Sequence, residues 1–213
     1  MWNRLDRAVP PDARRVFERL WVAGTMGALF TATFRSVADH WSEAAFRNWP
    51  SIRWQYTAIL VDRYVYLLWF IGYFFVSHVK KEGRIPSSKN LVFDMVQSVA
   101  GLFAVIALGL VAKDLGFDAA NYRQASAVAN GAVAVICWCS LALFYSDSDA
   151  YRNDYVNKLR LGGAVAGTAV ALLLSFQPNV VGGPATIIVG GQIVLLVLLW
   201  KFWKASLGDP RSL

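Results

Sequence analysis

The chain has 213 residues, of which 56% are hydrophobic and only 16% are charged, and its formal net charge is +7. Soluble domains usually carry about 25% charged residues, so the composition excludes an ordinary soluble protein and indicates one surrounded by membrane lipid. The basic residues form no stripe with interleaved aromatics outside the apolar runs, which excludes a typical nucleic-acid-binding domain.

Long apolar runs recur along the whole chain and predict an all-α, polytopic membrane helix bundle. Because a bilayer crossing needs about 20 residues, we predict six transmembrane helices within a single integral membrane domain that covers residues 1–213. The last two runs are joined by a very short connection, which predicts a tight antiparallel hairpin. The approximate bounds of the six spans are 20–35, 54–79, 91–112, 125–145, 161–176 and 180–203.

The N-terminal region is predicted to contain a helix that starts outside the membrane and runs into it. Pro10, Pro11 and Asp12 form a typical helix start, because proline is tolerated in the first helical turn. The first apolar run rises only about 22 Å, but no proline interrupts the chain before Pro50, so the helix can continue. Charged residues recur every four positions over 36–49, which favours an interfacial amphipathic helix over a solvated loop helix.

The basic residues are distributed unevenly between the two predicted sides of the membrane. Fifteen lie in the N-terminal segment, the second and fourth loops and the C-terminal end from Lys201 onward, whereas five lie in the alternate loops. Because cytoplasmic loops carry the excess of lysine and arginine, both termini are predicted to be cytoplasmic. Omitting the first span would leave the N-terminal excess unexplained, which favours six crossings.

The second predicted span carries a polar and aromatic stripe along one helix face. Asp62, Tyr66, Trp69, Tyr73 and Ser77 recur at helical spacing over most of the membrane depth. Such a stripe can line a solute path, where rings supply shape and hydroxyls supply hydrogen bonds. The alternative is a seam between helices, supplemented by the aromatic belt of the membrane interface.

Two adjacent opposite charges, Asp62 and Arg63, interrupt the apolar character of this span. A charge at membrane depth is costly and often marks function. Counting depth at helical rise places Asn130 of the fourth span and Arg35 of the first in the same outer half, so we predict a polar cluster of these four residues. Asp94 lies near the cytoplasmic side, too far from Arg63 for a direct pair.

A second polar stripe runs along the third span near its cytoplasmic end. It consists of Asp94, Gln97, Ser98 and Gly101. The alternative interpretation of Asp94 is simpler, because it falls in the first two turns of a helix, where the helix dipole favours an acidic residue and water is close.

Glycine and cysteine in the later spans are predicted to serve helix packing. Gly163 and Gly167 form a GxxxG motif, which lets two membrane helices approach closely. Cys137 and Cys139 are two positions apart and therefore point to roughly opposite helix faces. We interpret them as small apolar residues, not as a disulfide or a metal site.

No motif for a catalytic nucleophile, metal protease or nucleotide-binding loop occurs in the chain. We therefore expect a protein that is not an enzyme and has no cofactor or metal. The loop with Asp147, Asp149 and Asp154 lacks the glycine and glutamate of a calcium-binding loop. A lipid-modifying enzyme that uses these residues or Asp94 is the weakest of three functional hypotheses.

The leading hypothesis is a small transporter or channel for an ion or small polar solute, with its path along the stripe of the second span. Six short spans enclose little volume, so a homo-oligomer is expected. The alternative is a non-catalytic membrane subunit or anchor that docks on another membrane protein, because a glycine-rich hairpin without catalytic motifs fits that role equally well.

Overall fold

The structure, a computed structural model, describes residues 2–42, 65–74, 87–111, 119–144, 154–177 and 184–207. Within these ranges the chain is helical apart from a few connecting residues, which confirms the all-α prediction. The seven helices of the described ranges are α1 (Trp2–Ala8), α2 (Pro11–Ser42), α3 (Val65–Phe74), α4 (Ser88–Val111), α5 (Ala119–Phe144), α6 (Asp154–Phe176) and α7 (Pro184–Leu207).

Helix α2 begins where the proline pair predicts it. Pro11 is its first residue and Asp12 lies in its first turn, where an acidic side chain favours the helix dipole. The helix continues without a break for 32 residues to Ser42, so the first apolar run and the start of the amphipathic segment belong to one helix. Residues 43–49 of the predicted interfacial helix lie outside the described ranges.

Four of the described helices, α4 to α7, are long and apolar enough to cross a membrane, and they indicate an integral membrane protein. Their candidate spans are Ser88–Ala107, Arg123–Leu143, Tyr155–Phe176 and Thr186–Ala205. The first predicted span lies within α2, which is not among the four, and the second is described only over the ten residues of α3. The predicted number of six crossings is therefore not confirmed.

Helix α5 forms the centre of the bundle. Its candidate span is 67% buried, against 22% to 33% for the spans of α4, α6 and α7. It packs against α4 on one side and α6 on the other, and α7 packs against α6. Small side chains explain this position, because alanines on α5, including Ala125, Ala129 and Ala132, let neighbouring backbones approach closely.

The outer surface of the bundle is apolar. On α4 the exposed large side chains follow helical spacing, and they are Val92, Val96, Val99, Phe103 and Ile106. A soluble monomer rarely exposes a contiguous apolar stripe of this length. The stripe therefore supports contact with lipid hydrocarbon along the outer face of α4.

Glycines set the spacing of α6 from both of its neighbours. A Cβ atom added at Gly167 would lie 2.8 Å from the backbone oxygen of Asn130, and one at Gly163 would lie 2.8 Å from the Sγ atom of Cys137. The predicted packing role of the GxxxG motif is thereby confirmed. On the other side, a Cβ atom at Gly191 of α7 would lie 3.3 Å from Val170.

Candidate functional site

The aromatic stripe of the second predicted span lies inside the bundle. Tyr66, Trp69 and Tyr73 on α3 are 0%, 3% and 3% exposed. Tyr66 contacts Asn130 on α5, and Tyr73, about two turns further along α3, contacts Ser140, nearly three turns further along α5. The later residue of α3 contacts the later residue of α5, so the two helices run parallel. This is the arrangement expected for the second and fourth crossings of a multi-pass protein.

The structure describes the side chain of one member of the predicted outer polar cluster, Asn130, and pairs it with Tyr66 of the aromatic stripe. The Nδ2 atom of Asn130 donates a hydrogen bond to the hydroxyl of Tyr66 and a second one, 2.9 Å long, to the backbone oxygen of Ser126. These bonds compensate the cost of burying an amide in an apolar environment. Asp62 and Arg63 lie outside the described residues, and of Arg35 the structure describes only its place in α2.

An aromatic stack surrounds the second buried hydroxyl of the stripe. Tyr73 shares a hydrogen bond with the Oγ atom of Ser140. Its ring stacks on Trp69 at a centroid distance of 5.0 Å and on Phe202 of α7 at 5.2 Å. The Nε1 atom of Trp203 donates to the backbone oxygen of Gly72 at 3.3 Å. These contacts fix α3 against both α5 and α7.

A buried arginine lies beside this stack. Arg160 on α6 is only 6% exposed, and its Nη1 atom donates to the Oδ1 atom of Asn157 at 3.2 Å. Its guanidinium carbon lies 5.8 Å from the ring centroid of Phe202, and the group also interacts with the hydroxyl of Tyr73 and the thiol of Cys137. The guanidinium of Arg160 thus lies as a positive charge within the helix bundle.

A small cavity opens at this arginine. Its volume is about 20 Å³, enough for one water molecule. The walls come from α3, α5, α6 and α7 and include Trp69, Tyr73, Cys137, Arg160, Gly163 and Phe202. We call this feature the Arg160 cavity. It combines a permanent cation, a hydroxyl and a thiol in an otherwise apolar and aromatic enclosure, so it suits the binding of a small polar or charged species.

The second predicted stripe also faces inward. Gln97 and Ser98 are buried, at 4% and 3% exposure. Gly101 faces α3, since a Cβ atom there would lie 3.4 Å from the ring of Phe74. Asp94 is half-buried and interacts electrostatically with Cys139 on α5. Cys137 lines the Arg160 cavity, whereas Asp94 interacts with Cys139, which points to another face of α5. The second stripe therefore meets α5 on a different face from the Arg160 cavity.

Sequence reasoning missed Arg160 because it treated the residue as the last member of a cytoplasmic loop. Helix α6 begins at Asp154, seven residues before the predicted start of the span, so Arg160 lies in its second turn. A signal was present in the chain, since Asn153 and Asp154 are typical of a helix start. Ser140 was missed as well, because a lone serine in an apolar run predicts no particular partner.

Among the described residues, no three histidine, cysteine or acidic side chains form a group that could hold a metal ion. Cys137 and Cys139 are free thiols. Cys137 is buried against Gly163, which agrees with its interpretation as a packing residue. Comparison of the chain with protein-family models, with curated proteins and with solved structures finds no significant match.

Proposed function

We propose that the chain is a small multi-pass membrane transporter or channel for an ion or small polar solute. The observation that carries this proposal is the position of Arg160, a permanent charge buried among α3, α5, α6 and α7 next to a cavity. Ionisable residues inside membrane bundles are costly and mark substrate or ion pathways by default. The contacts of Tyr66 with Asn130 and of Tyr73 with Ser140 support a solute path along α3.

Polar side chains are placed at two levels along α3. Tyr66 with Asn130 forms one level, and Tyr73 with Ser140 and Arg160 forms the other. Seven residues separate the two tyrosines, which corresponds to about 10 Å of helical rise. In sequence, Asp62 stands four residues before Tyr66 and would continue the series toward the outer side.

The path is closed in this packing, because Tyr66 and Tyr73 are buried and hydrogen-bonded across helices. Transport then requires α3 to exchange these partners for a solute, as in gated pathways whose helices shift between two packings. We also propose a homo-oligomer, since the Arg160 cavity is small and the described helices present apolar side chains on their outer faces.

The test is solute flux in proteoliposomes that contain the purified full-length protein, with a panel of ions and small polar solutes. We expect flux above that of empty vesicles, and a reduction in both Asp62→Asn and Tyr73→Phe. The control is Tyr155→Phe, which changes a half-exposed tyrosine on α6. Absence of flux across the whole panel contradicts the proposal.

The orientation of the termini forms part of this proposal. We place both termini in the cytoplasm on the basis of the loop charges. One contact supports a shared side for the N-terminus and the start of α4, since the backbone nitrogen of Ser88 donates to Asp6 of α1 at 2.7 Å.

The second candidate is a non-catalytic membrane subunit or anchor. The observation in its favour is the tight packing of the α3 stripe, where each of the three aromatic residues is at least 97% buried. A seam of this kind stabilises a bundle without conducting anything. Purification in mild detergent separates the candidates, since a stoichiometric membrane protein partner favours the subunit and a pure homo-oligomer favours the transporter.

A further inference from the structure

We propose that the Arg160 cavity binds a small inorganic anion, of about the size of a halide ion. This inference names the solute class at the site described above, and its transport aspect rests on the proposed function. Four helices contribute to the cavity, so it belongs to the centre of the bundle and not to a single helix end.

The charge of the cavity wall favours an anion over a cation. Arginine keeps its proton in proteins, so Arg160 is permanently positive. Its side chain is 6% exposed, and charge interactions are stronger in such a low-dielectric surrounding than in water. A cation entering the cavity is repelled by the guanidinium, whereas an anion is attracted to it.

The neighbouring groups hold the arginine and add donors. Asn157 accepts a hydrogen bond from Nη1 at 3.2 Å, and the ring of Phe202 lies against the guanidinium carbon at 5.8 Å. These two contacts orient the guanidinium at the cavity wall. Tyr73 and Cys137 line the same cavity, and a phenol hydroxyl and a thiol can each donate a hydrogen bond to an anion. The bond between Tyr73 and Ser140 allows this, because either hydroxyl can be its donor.

The size of the cavity restricts the anion. Its volume of about 20 Å³ accommodates one water-sized species. Trp69 and Phe202 make most of the remaining wall apolar, and they disfavour ions that keep a full hydration shell. A single-atom anion fits these conditions, whereas a carboxylic acid anion such as gluconate is too large.

The experiment uses the full-length protein and two readouts. In detergent, the unfolding temperature is compared in sodium chloride and in sodium gluconate of equal ionic strength, because a ligand bound by the folded state stabilises it. In proteoliposomes, chloride flux and sodium flux are measured separately. The variants are Arg160→Gln and Arg160→Lys, and the control is Lys158→Gln, an exposed lysine on the same helix.

We expect chloride to raise the unfolding temperature of the wild type and of Lys158→Gln. Arg160→Gln abolishes the shift and lowers chloride flux by about tenfold or more, as expected for a lost hydrogen bond to a charged group. Arg160→Lys keeps the charge and retains part of both signals, which guards against a folding defect in the glutamine variant.

The outcomes separate this inference from the proposed function. A chloride-dependent shift that needs Arg160, without flux of any solute, supports the anion site and contradicts transport. Sodium flux without a chloride effect overturns the anion site and leaves transport standing. Equal shifts in Arg160→Gln and in the wild type overturn the anion site.

Discussion

The hydroxyl of Tyr66 on α3 accepts a hydrogen bond from the side-chain amide of Asn130 on α5. Tyr66 is fully buried and Asn130 is 2% exposed, so water does not compete with this bond. The two residues are 64 positions apart in the chain. Their contact therefore fixes how α3 is placed along the central helix and, with it, where the rest of the aromatic stripe lies.

Tyr66→Phe is expected to lower the free energy of unfolding. The substitution removes the hydroxyl and leaves Asn130 with the Ser126 carbonyl oxygen as its described acceptor. In membrane proteins such interhelical hydrogen bonds contribute about 0.6 kcal/mol, with a maximum near 1.7 kcal/mol. Denaturant unfolding in detergent micelles measures this loss.

A double-mutant cycle with Asn130→Ala isolates the pair. We expect the two changes together to cost less than the sum of the single changes, because either one already removes the bond. Tyr155→Phe on α6 serves as the control for loss of a tyrosine hydroxyl at a half-exposed position. Additive costs within about 0.3 kcal/mol would show that the pair is not coupled.

The Tyr66–Asn130 contact shows which part of the site can be predicted by counting residues from the ends of the spans. Helical spacing identified Tyr66, Trp69 and Tyr73 as one face, and counting from the span ends placed Asn130 near the outer half. Spacing alone does not say whether such a face contacts solute or protein, because a solute path and a helix–helix contact use the same residue types. The packing of α3 between α5 and α7 had to come from the structure.

Arg160 shows the opposite case. A positive charge at the end of a polar stretch is usually a solvated loop residue, and loop-charge counting depends on that expectation. The arginine is buried because α6 starts earlier than its apolar run and because Asn157, one turn before, and Phe202 on α7 receive its side chain. The partner on α7 is 42 residues away in sequence, which no local pattern shows.

Gly167→Ala is expected to destabilise the bundle by about 1–3 kcal/mol, the usual cost of overpacking. The added Cβ atom would lie 2.8 Å from the backbone oxygen of Asn130 and 3.1 Å from the backbone nitrogen of Ala134. Backbone atoms of α5 cannot rotate away, so the two helices must separate. Unfolding in detergent micelles measures the effect.

Gly131→Ala is the matched control for this change. Gly131 lies on α5 next to Asn130, but an added Cβ atom would meet nothing within 4 Å. Alanine has a better helix propensity than glycine, by about 1 kcal/mol, so this variant should be neutral or slightly more stable. If Gly167→Ala behaves like Gly131→Ala, the close α5–α6 contact is not maintained in solution.

Asp6 is expected to hold the N-terminal helix on the start of α4 in a pH-dependent way. Its carboxylate accepts the backbone N–H of Ser88 at 2.7 Å and pairs with Arg14 at 2.7 Å. The hydrogen bond from the Ser88 backbone, followed by that from its side chain, lowers the pKa of Asp6 below its ordinary value of 3.8, and the charge of Arg14 adds to this.

Because the folded-state pKa of Asp6 is lowered, its carboxylate stabilises the contact between α1 and α4 fully above pH 3.8. This stabilisation is lost as the pH falls through the lowered pKa. The measurement is hydrogen–deuterium exchange at the Ser88 amide, with the protection in the wild type compared with that in Asp6→Ala at each pH. We expect stronger protection in the wild type above pH 3.8 and equal protection at the acid end. Asp12→Ala, at an exposed residue of α2, should match the wild type, and a pH-independent difference for Asp6→Ala would contradict the role of the carboxylate.

The sidedness of the helix ends gives a direct test of the topology. In a background with Cys137→Ala and Cys139→Ala, single cysteines are introduced by Gln177→Cys at the end of α6 and by Lys204→Cys near the end of α7. A membrane-impermeant maleimide is then applied to intact cells and to inverted vesicles. Since α6 and α7 pack as an antiparallel pair, labelling of the two positions from the same side would contradict the proposed crossings.

Asn48→Cys distinguishes six crossings from four. If α2 and the run that contains α3 both cross the membrane, the position follows the first crossing and is labelled from outside, as Gln177→Cys is. If only α4 to α7 cross, Asn48→Cys is labelled from the cytoplasmic side with Lys204→Cys. We expect outside labelling, because the first apolar run separates the five N-terminal arginines from a segment, 35–53, with only three basic residues, as the positive-inside rule predicts for a crossing at α2.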